Sequence, residues 1–232
     1  MKLLDQVRQV CRLQHKSLST EKTYCHWIVR YCRFNGLRHP VDLNASHLEA
    51  FLSDLAVTQH CAASTQNQAM NAIIFLYKQV LNLDLGSVDA VRAKRTKRLP
   101  VVMSIAEVQA VIGAMDGMSQ LVAQVMYGGG LRLNEALSLR VLDLDFDRNQ
   151  ITVRRGKGDK DRTTLFPVSL HDPLRLHLQR VEAIHKRDLF DGFGRANLPD
   201  NLARKFSAAA DRFEWQFIFP ATRISKDPRS DY

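Results

Sequence analysis

A 3.6-residue apolar period runs through most of this chain and gives way once, between Leu142 and Val168, to short strand-like runs. Leu142–Phe146, Ile151–Arg155 and Arg162–Val168 read as strands, with turn chemistry between them at Asp147-Arg148-Asn149 and at Gly156–Lys160. Connections this short join antiparallel neighbours, so the three runs form a meander. The fold class is therefore mainly α with a small antiparallel sheet.

The first third reads as a helical domain over residues 1–91. A leading helix covers Met1 to Val10. Ser19 is placed to cap a second helix, with Glu21 in its first turn and Tyr24, Trp27, Ile28, Tyr31 and Phe34 at helical spacing; Gly36 and Pro40 end it. Ser46 with Glu49 makes a capping box for a third helix, and Ser64 is placed to cap a fourth whose inner face holds Ala69, Ile73 and Leu76. Residues 92–100 form a linker, in which Arg92 to Arg98 carries five cations in seven residues. The second domain, 101–232, opens with a capping box from Ser104 to Glu107. A helix through Leu121, Val125 and Met126 stops at Gly128, Arg132 to Leu139 is a short helix, and Asp172-Pro173 opens another.

Charge points to a polyanion. Of the net +9, residues 1–99 contribute +7, with 14 Lys and Arg against 7 Asp and Glu. Nucleic acid is the first candidate partner. The basic linker reads either as a solvated tether or as a strap along a phosphate backbone; a mobile basic tether that orders on a polyanion is both. The cysteines, Cys11, Cys25, Cys32 and Cys61, form no C-x-x-C pair, so neither a metal site nor a disulfide is expected. Cys25 and Cys32, seven apart, suit two small buried side chains on one helix face. With no apolar run of ~18 residues and no secretion signal, the expected setting is a reducing cytoplasm without a membrane.

Two segments carry chemistry. In Gly128-Gly129-Gly130-Leu131-Arg132-Leu133-Asn134-Glu135 the glycines follow a helix, and Leu133 breaks any G-x-G-x-x-G pattern, so a nucleotide loop is excluded. A helix stop that lets Arg132 turn inward explains them better. Arg132 and Glu135, three apart, share a helical face, where the guanidinium can grip a phosphate while the carboxylate orients it. Taken alone, R-x-x-E is a structural ion pair. In Arg155-Gly156-Lys157-Gly158-Asp159-Lys160-Asp161-Arg162, Lys157 sits at a hairpin tip, where flanking glycines allow close backbone approach to a ligand.

In this order, the two segments resemble the tyrosine recombinases, the integrase family of site-specific DNA recombinases, with their G-L-R-x-x-E motif and G-K-G-x-K-x-R hairpin. The likeness covers nearly the whole chain and is closest to the integron integrases. Leu18 to Tyr24, Ser64 to Ala72 and Phe75-Leu76-Tyr77 are similar to that group's N-terminal domain. Asn197-Leu198-Pro199 through Arg204-Lys205-Phe206, then Glu214 to Ala221, is similar to its distinguishing extra segment, placed here at about 190–232. The resemblance implies a SAM-like core-binding domain plus an α+β catalytic domain, closing on duplex DNA as a clamp. It implies strand transfer through a 3′-phosphotyrosyl intermediate, with no metal and no cofactor. Arg132 would hold the scissile phosphate, Glu135 would support it, and Lys157 would protonate the leaving 5′-oxygen. Lys94, Arg95, Lys97, Arg98, Lys160, Arg162 and Pro228 would contact DNA. The partners implied are double-stranded attachment sites, folded single-stranded cassette sites with protruding bases, and further copies of the chain in a tetramer. For most aromatics between Phe206 and Phe219, packing is expected rather than base stacking.

The pattern also departs from the family. No histidine follows His185, so no His-x-x-Arg box is found beyond that point, where the family pattern would place it, and Tyr232 lies too early to match the family's tyrosine. The expectation is a C-terminally truncated catalytic domain that binds DNA without completing recombination, and that exposes apolar surface. A non-catalytic DNA-binding remnant and a phage-type or chromosome-resolving recombinase fragment are the alternatives.

Overall fold

The computed structural model describes residues 2–86, 100–154, 160–198, 205–221 and 223. The chain divides into two compact units, Met1–Pro100 and Val101–Tyr232. The basic linker residues Lys94, Arg95, Lys97 and Arg98, the hairpin Lys157 and Pro228 lie outside the described residues.

The first unit packs α1 (Leu3–Leu13), α2 (Leu18–Phe34), α3 (Ala45–Val57) and α4 (Ala63–Phe75); α4 continues into a π-helical stretch, Leu76–Leu81. Asn82 stops that stretch by taking the left-handed conformation, φ 50°. The helices fall where the apolar period puts them, but their caps differ. The α2 cap is Ser17, whose Oγ accepts from the Thr20 amide at 3.1 Å, rather than Ser19. Asn44 and His47 make the α3 capping box instead of Ser46 and Glu49, since buried Leu43 sets where the chain enters the helix. No side chain caps α4; Gln66 Nε2 donates back to the Cys61 carbonyl at 2.8 Å. Cys25 and Cys32 are half-buried at the edge of the core rather than inside it, and burial raises both thiols above their ordinary range.

Buried Tyr31, Leu48, Phe51, Ile73 and Tyr77 lie at the centre of that unit. Tyr77 Oη donates to the Pro40 carbonyl at 2.7 Å, and the Tyr31 hydroxyl lies 3.3 Å from it. This pair anchors the 3₁₀ turn Pro40–Asp42 to the end of α4, so the α2–α3 connection is fixed from inside. Tyr77→Phe leaves the Pro40 carbonyl without its donor and should cost ~1–3 kcal/mol in urea unfolding, with the helical circular dichroism retained.

The second unit begins with α5 (Ile105–Gly113), whose Ser104–Glu107 capping box forms as the sequence implies: Ser104 N donates to Glu107 Oε2 at 2.7 Å and Glu107 N to Ser104 Oγ at 3.3 Å. Then come α6 (Gly117–Gly129), α7 (Leu133–Leu137), β1 (Leu144–Asp145), β2 (Gln150–Val153), β3 (Arg162–Leu165) and α8 (His171–Phe190). The sheet is the expected antiparallel meander in the order β1-β2-β3, with Ile151 opposite Thr164 and Val153 opposite Arg162. Its first strand is shorter than its apolar run. Val141–Asp143 forms a 3₁₀ turn instead, because the Asp143 carboxylate accepts the Arg140 amide at 2.9 Å and bends the chain. The core gathers Val125, Ile151, Val153, Phe166 and Leu174, together with Ile218 and Phe219 from the far end of the chain. Val101, Val102, Leu165 and Phe190 project into solvent.

Candidate nucleic-acid interface and phosphate site

Each glycine of the triplet has its own reason. Gly130 ends α6 in the left-handed conformation at φ +61°. A side chain at Gly128 would meet Pro167 Cγ at 2.7 Å, so that glycine lets α6 approach the segment after β3. Leu131 is then buried, and Arg132 becomes the N-cap residue of α7. Arg132 does not turn inward: its side chain is 61% exposed. The left-handed turn at Gly130 reverses the chain and buries Leu131, so the following residue faces out.

Glu135, by contrast, is 9% exposed and sits between two arginines. It accepts Arg132 Nη1 on Oε1 at 2.7 Å and the Arg132 amide on Oε2 at 2.9 Å. From β3, Arg162 closes a bidentate pair, Nη1 to Oε1 at 3.0 Å and Nη2 to Oε2 at 2.8 Å. The Arg162 bonds first, and then the Arg132 amide, hold the Glu135 carboxyl down to about 2. The alternation of β3 explains why Arg162 arrives there. Arg162 and Thr164 share the face that looks toward α6, where Thr164 Oγ1 donates to the Gly129 carbonyl at 2.8 Å. Arg162, expected on DNA, thus spends its fork on Glu135. Lys160 is exposed, as is most of Arg132, so one carboxylate against two guanidiniums leaves a positive site with Arg132 as its open end.

A second cluster ties in the 190–220 segment. Arg140 donates from Nη1 to the Trp215 carbonyl and from Nη2 to the Asn197 carbonyl, both at 2.6 Å, with its guanidinium 4.6 Å from the centre of the Phe217 ring. The backbone follows: Val141 N donates to Gln216 O at 3.0 Å and Ile218 N to Leu139 O at 2.9 Å. Phe213 and Phe219 pack on the core, Trp215 lies against Leu198 and Ala210, and Phe206 is exposed. Most of these aromatics therefore serve packing, as expected. The clasp by Arg140 was not read from the sequence, where Leu139-Arg140-Val141 looks like any helix exit.

In the first unit a cleft of about 460 Å³ runs between α2 and α4, lined by Ser19, Thr20, Thr23, Tyr24, Ser64, Asn67, Gln68 and Asn71. Trp27 Nε1 donates to Gln68 Oε1 at 3.1 Å and holds the two helices together. Hydroxyls and carboxamides of this kind can donate to phosphate oxygens and read base edges. All eight of these residues lie in the segments Leu18–Tyr24 and Ser64–Ala72, although their convergence is not legible in the sequence.

Because Glu135 titrates lower when folded than when unfolded, it stabilises the fold above its ordinary value near 4.5, and that stability is lost as pH falls toward about 2. Glu135→Gln should remove on the order of 1–2 kcal/mol near neutrality, after allowance for solvent screening on the Arg132 side, and flatten the acid limb of a urea-stability profile between those values.

Residues 3–87 match the phage integrase N-terminal SAM-like domain, and residues 101–195 match the phage integrase family. The chain is 43% identical over 231 residues to an integrase/recombinase of Escherichia coli, an alignment that covers 99% of this chain and 68% of that protein. Against the tyrosine recombinase XerA of Thermococcus kodakarensis it is 31% identical over 173 residues, covering 72% of this chain and 58% of that protein. Among solved structures, the Tn1549 transposon integrase in complex with transposon right end DNA superposes with a TM-score of 0.54 at 15% identity, covering 96% of this chain and 72% of that one. XerH site-specific recombinase bound to difH substrate gives 0.53 at 20% identity, over 78% of this chain and 59% of that one. At such identities these two likenesses establish the fold. The chain spans about two thirds of the length of the Escherichia coli relative, and on the strength of that match it belongs to the phage integrase family of tyrosine recombinases.

Proposed function

We infer that this chain engages the DNA of a recombination site and holds one phosphodiester at Arg132. The observation that carries the reading is the convergence of Arg132 and Arg162, thirty positions apart, on the single carboxylate of Glu135. That arrangement fixes Arg132 through its backbone amide and Nη1, while the rest of its side chain, 61% exposed, faces solvent and is available to a phosphate. In the proposed roles Arg132 grips the scissile phosphate, Glu135 orients it, and Lys157 is the general acid. Arg162 acts through Glu135 as well as lying beside DNA. Lys94, Arg95, Lys97, Arg98, Lys160 and Pro228 contribute backbone contacts, and the first unit, as a core-binding domain, adds the α2–α4 cleft. Two of the similar structures carry DNA, which supports the choice of polyanion.

The finer reading is a recombinase of the integron cassette type. It rests on the Asn197–Ala221 likeness and on the way Arg140 seats that segment against the catalytic unit, where it would face folded single-stranded sites. The one His-x-x-Arg spacing among these 232 residues, His177 to Arg180, lies inside α8, before the 190–220 segment rather than after it, and no tyrosine at the family's position accompanies it. The reading is therefore DNA binding by this polypeptide without completed strand transfer. Whole-protein activity and tetramer formation belong to the same proposal.

Duplex DNA should be retained at low salt and released steeply as salt rises, and Arg132→Ala should reduce the log–log salt slope by about 0.9, one phosphate contact. A suicide substrate should yield no covalent adduct. Retention that ignores salt would contradict the phosphate reading, and an adduct would overturn the claim that strand transfer is incomplete.

A further inference from the structure

We propose that Arg154 is a phosphate-contacting residue of this chain, set in position by buried Asp143. This rests on the DNA-binding reading above. Asp143 is 2% exposed, and among the described residues of the second unit it is the one carboxylate buried so deeply. A carboxylate at that depth is costly unless both oxygens are engaged. Both are: Oδ1 accepts Arg154 Nε at 2.6 Å, and Oδ2 accepts the Arg140 amide at 2.9 Å.

The geometry of that grip points to the role. A guanidinium has five N–H donors, and Asp143 takes only the one on Nε. Among the described residues no protein acceptor meets the Nη1–Nη2 fork, and the Arg154 side chain is 38% exposed. The other described arginines of the meander, Arg162 and Arg148, differ on one count each. Arg162 is as exposed, at 37%, but its fork is closed on Glu135. Arg148 is 78% exposed and is held through Nη1, a nitrogen of its own fork, by Asp145 in the same turn, with no contact at Nε. Among the described meander arginines, Arg154 is the one that is both anchored through Nε and open at the fork. Alternation places it on the opposite face of β2 from buried Ile151 and Val153. A fixed, forked, half-exposed cation is preorganised for a phosphate oxygen pair and loses little entropy on binding. A stabilising ion pair needs the Nε contact but not an open fork.

The test uses fluorescence anisotropy with a mixed-sequence duplex across a salt series. Arg154→Gln should lower the log–log slope by about 0.9, whereas Arg148→Gln, the loss of a largely exposed charge already paired with Asp145 in the same meander, should leave it unchanged. Asp143→Asn keeps the arginine charge but frees the side chain, and should weaken binding roughly 2–10-fold at fixed salt, the cost of ordering one long side chain. If Arg154→Gln alone fails to fold because Asp143 is left unpaired, the double variant Asp143→Asn/Arg154→Gln decides, since it removes both charges. Equal slopes for the Arg154 and Arg148 variants would overturn the contact, and unchanged affinity in Asp143→Asn would overturn the positioning by Asp143. A wild-type chain without salt-dependent binding would overturn the DNA reading itself, a result distinct from either.

Discussion

The carboxylate of Glu135 is the interaction on which the proposed phosphate site depends. Two guanidiniums and one backbone amide converge on it, from the N-terminus of α7 and from β3, so a single side chain joins the helical and sheet parts of the second unit. Without it, Arg132 and Arg162 would be like charges facing each other. With it, their repulsion is relieved, and Arg132 is held at one end while the other stays in solvent. The glycines upstream serve the same end. Gly128 admits close packing against Pro167, and Gly130 turns the chain so that Leu131 is buried and Arg132 is not.

A second anchor sits on the far side of β2. Asp143 binds the Arg140 amide and the Arg154 side chain, while the Arg140 guanidinium clasps the carbonyls of Asn197 and Trp215. The meander is thus held by two buried or nearly buried acids, each paired with arginines that reach solvent. Such pairs contribute little net stability against apolar substitutes, but breaking one partner leaves an uncompensated charge. Their value lies in fixing where the cations point, which is what the proposed binding of a regular polyanion requires.

Much of this was legible in the sequence, for identifiable reasons. The helices and the meander follow from apolar periods, and the Ser104–Glu107 box follows from a local pairing that tertiary structure does not disturb. The caps fall at Ser17 and Asn44 rather than at Ser19 and Ser46 because several Ser, Thr and Asn residues compete within one turn, and buried contacts such as Leu43 choose among them. The pair of Arg132 with Glu135 was visible in its i, i+3 spacing. The bond from Arg162 was not, since it depends on strand register across 27 positions. Arg140 and Arg154 were passed over for the same reason: their partners are distant in sequence, and an arginine in a basic chain carries no local mark of an anchored role.

The central claim is that Glu135 is an ionised carboxylate locked between two arginines. Carbon-13 NMR of the glutamate side-chain carboxyls, assigned through Glu135→Gln and followed through an acid titration, tests it most directly. The account requires a midpoint for Glu135 at about 2, far below the other glutamates. A midpoint near 4.5, the ordinary value, would mean that the arginines do not close on it and that the site is not preorganised.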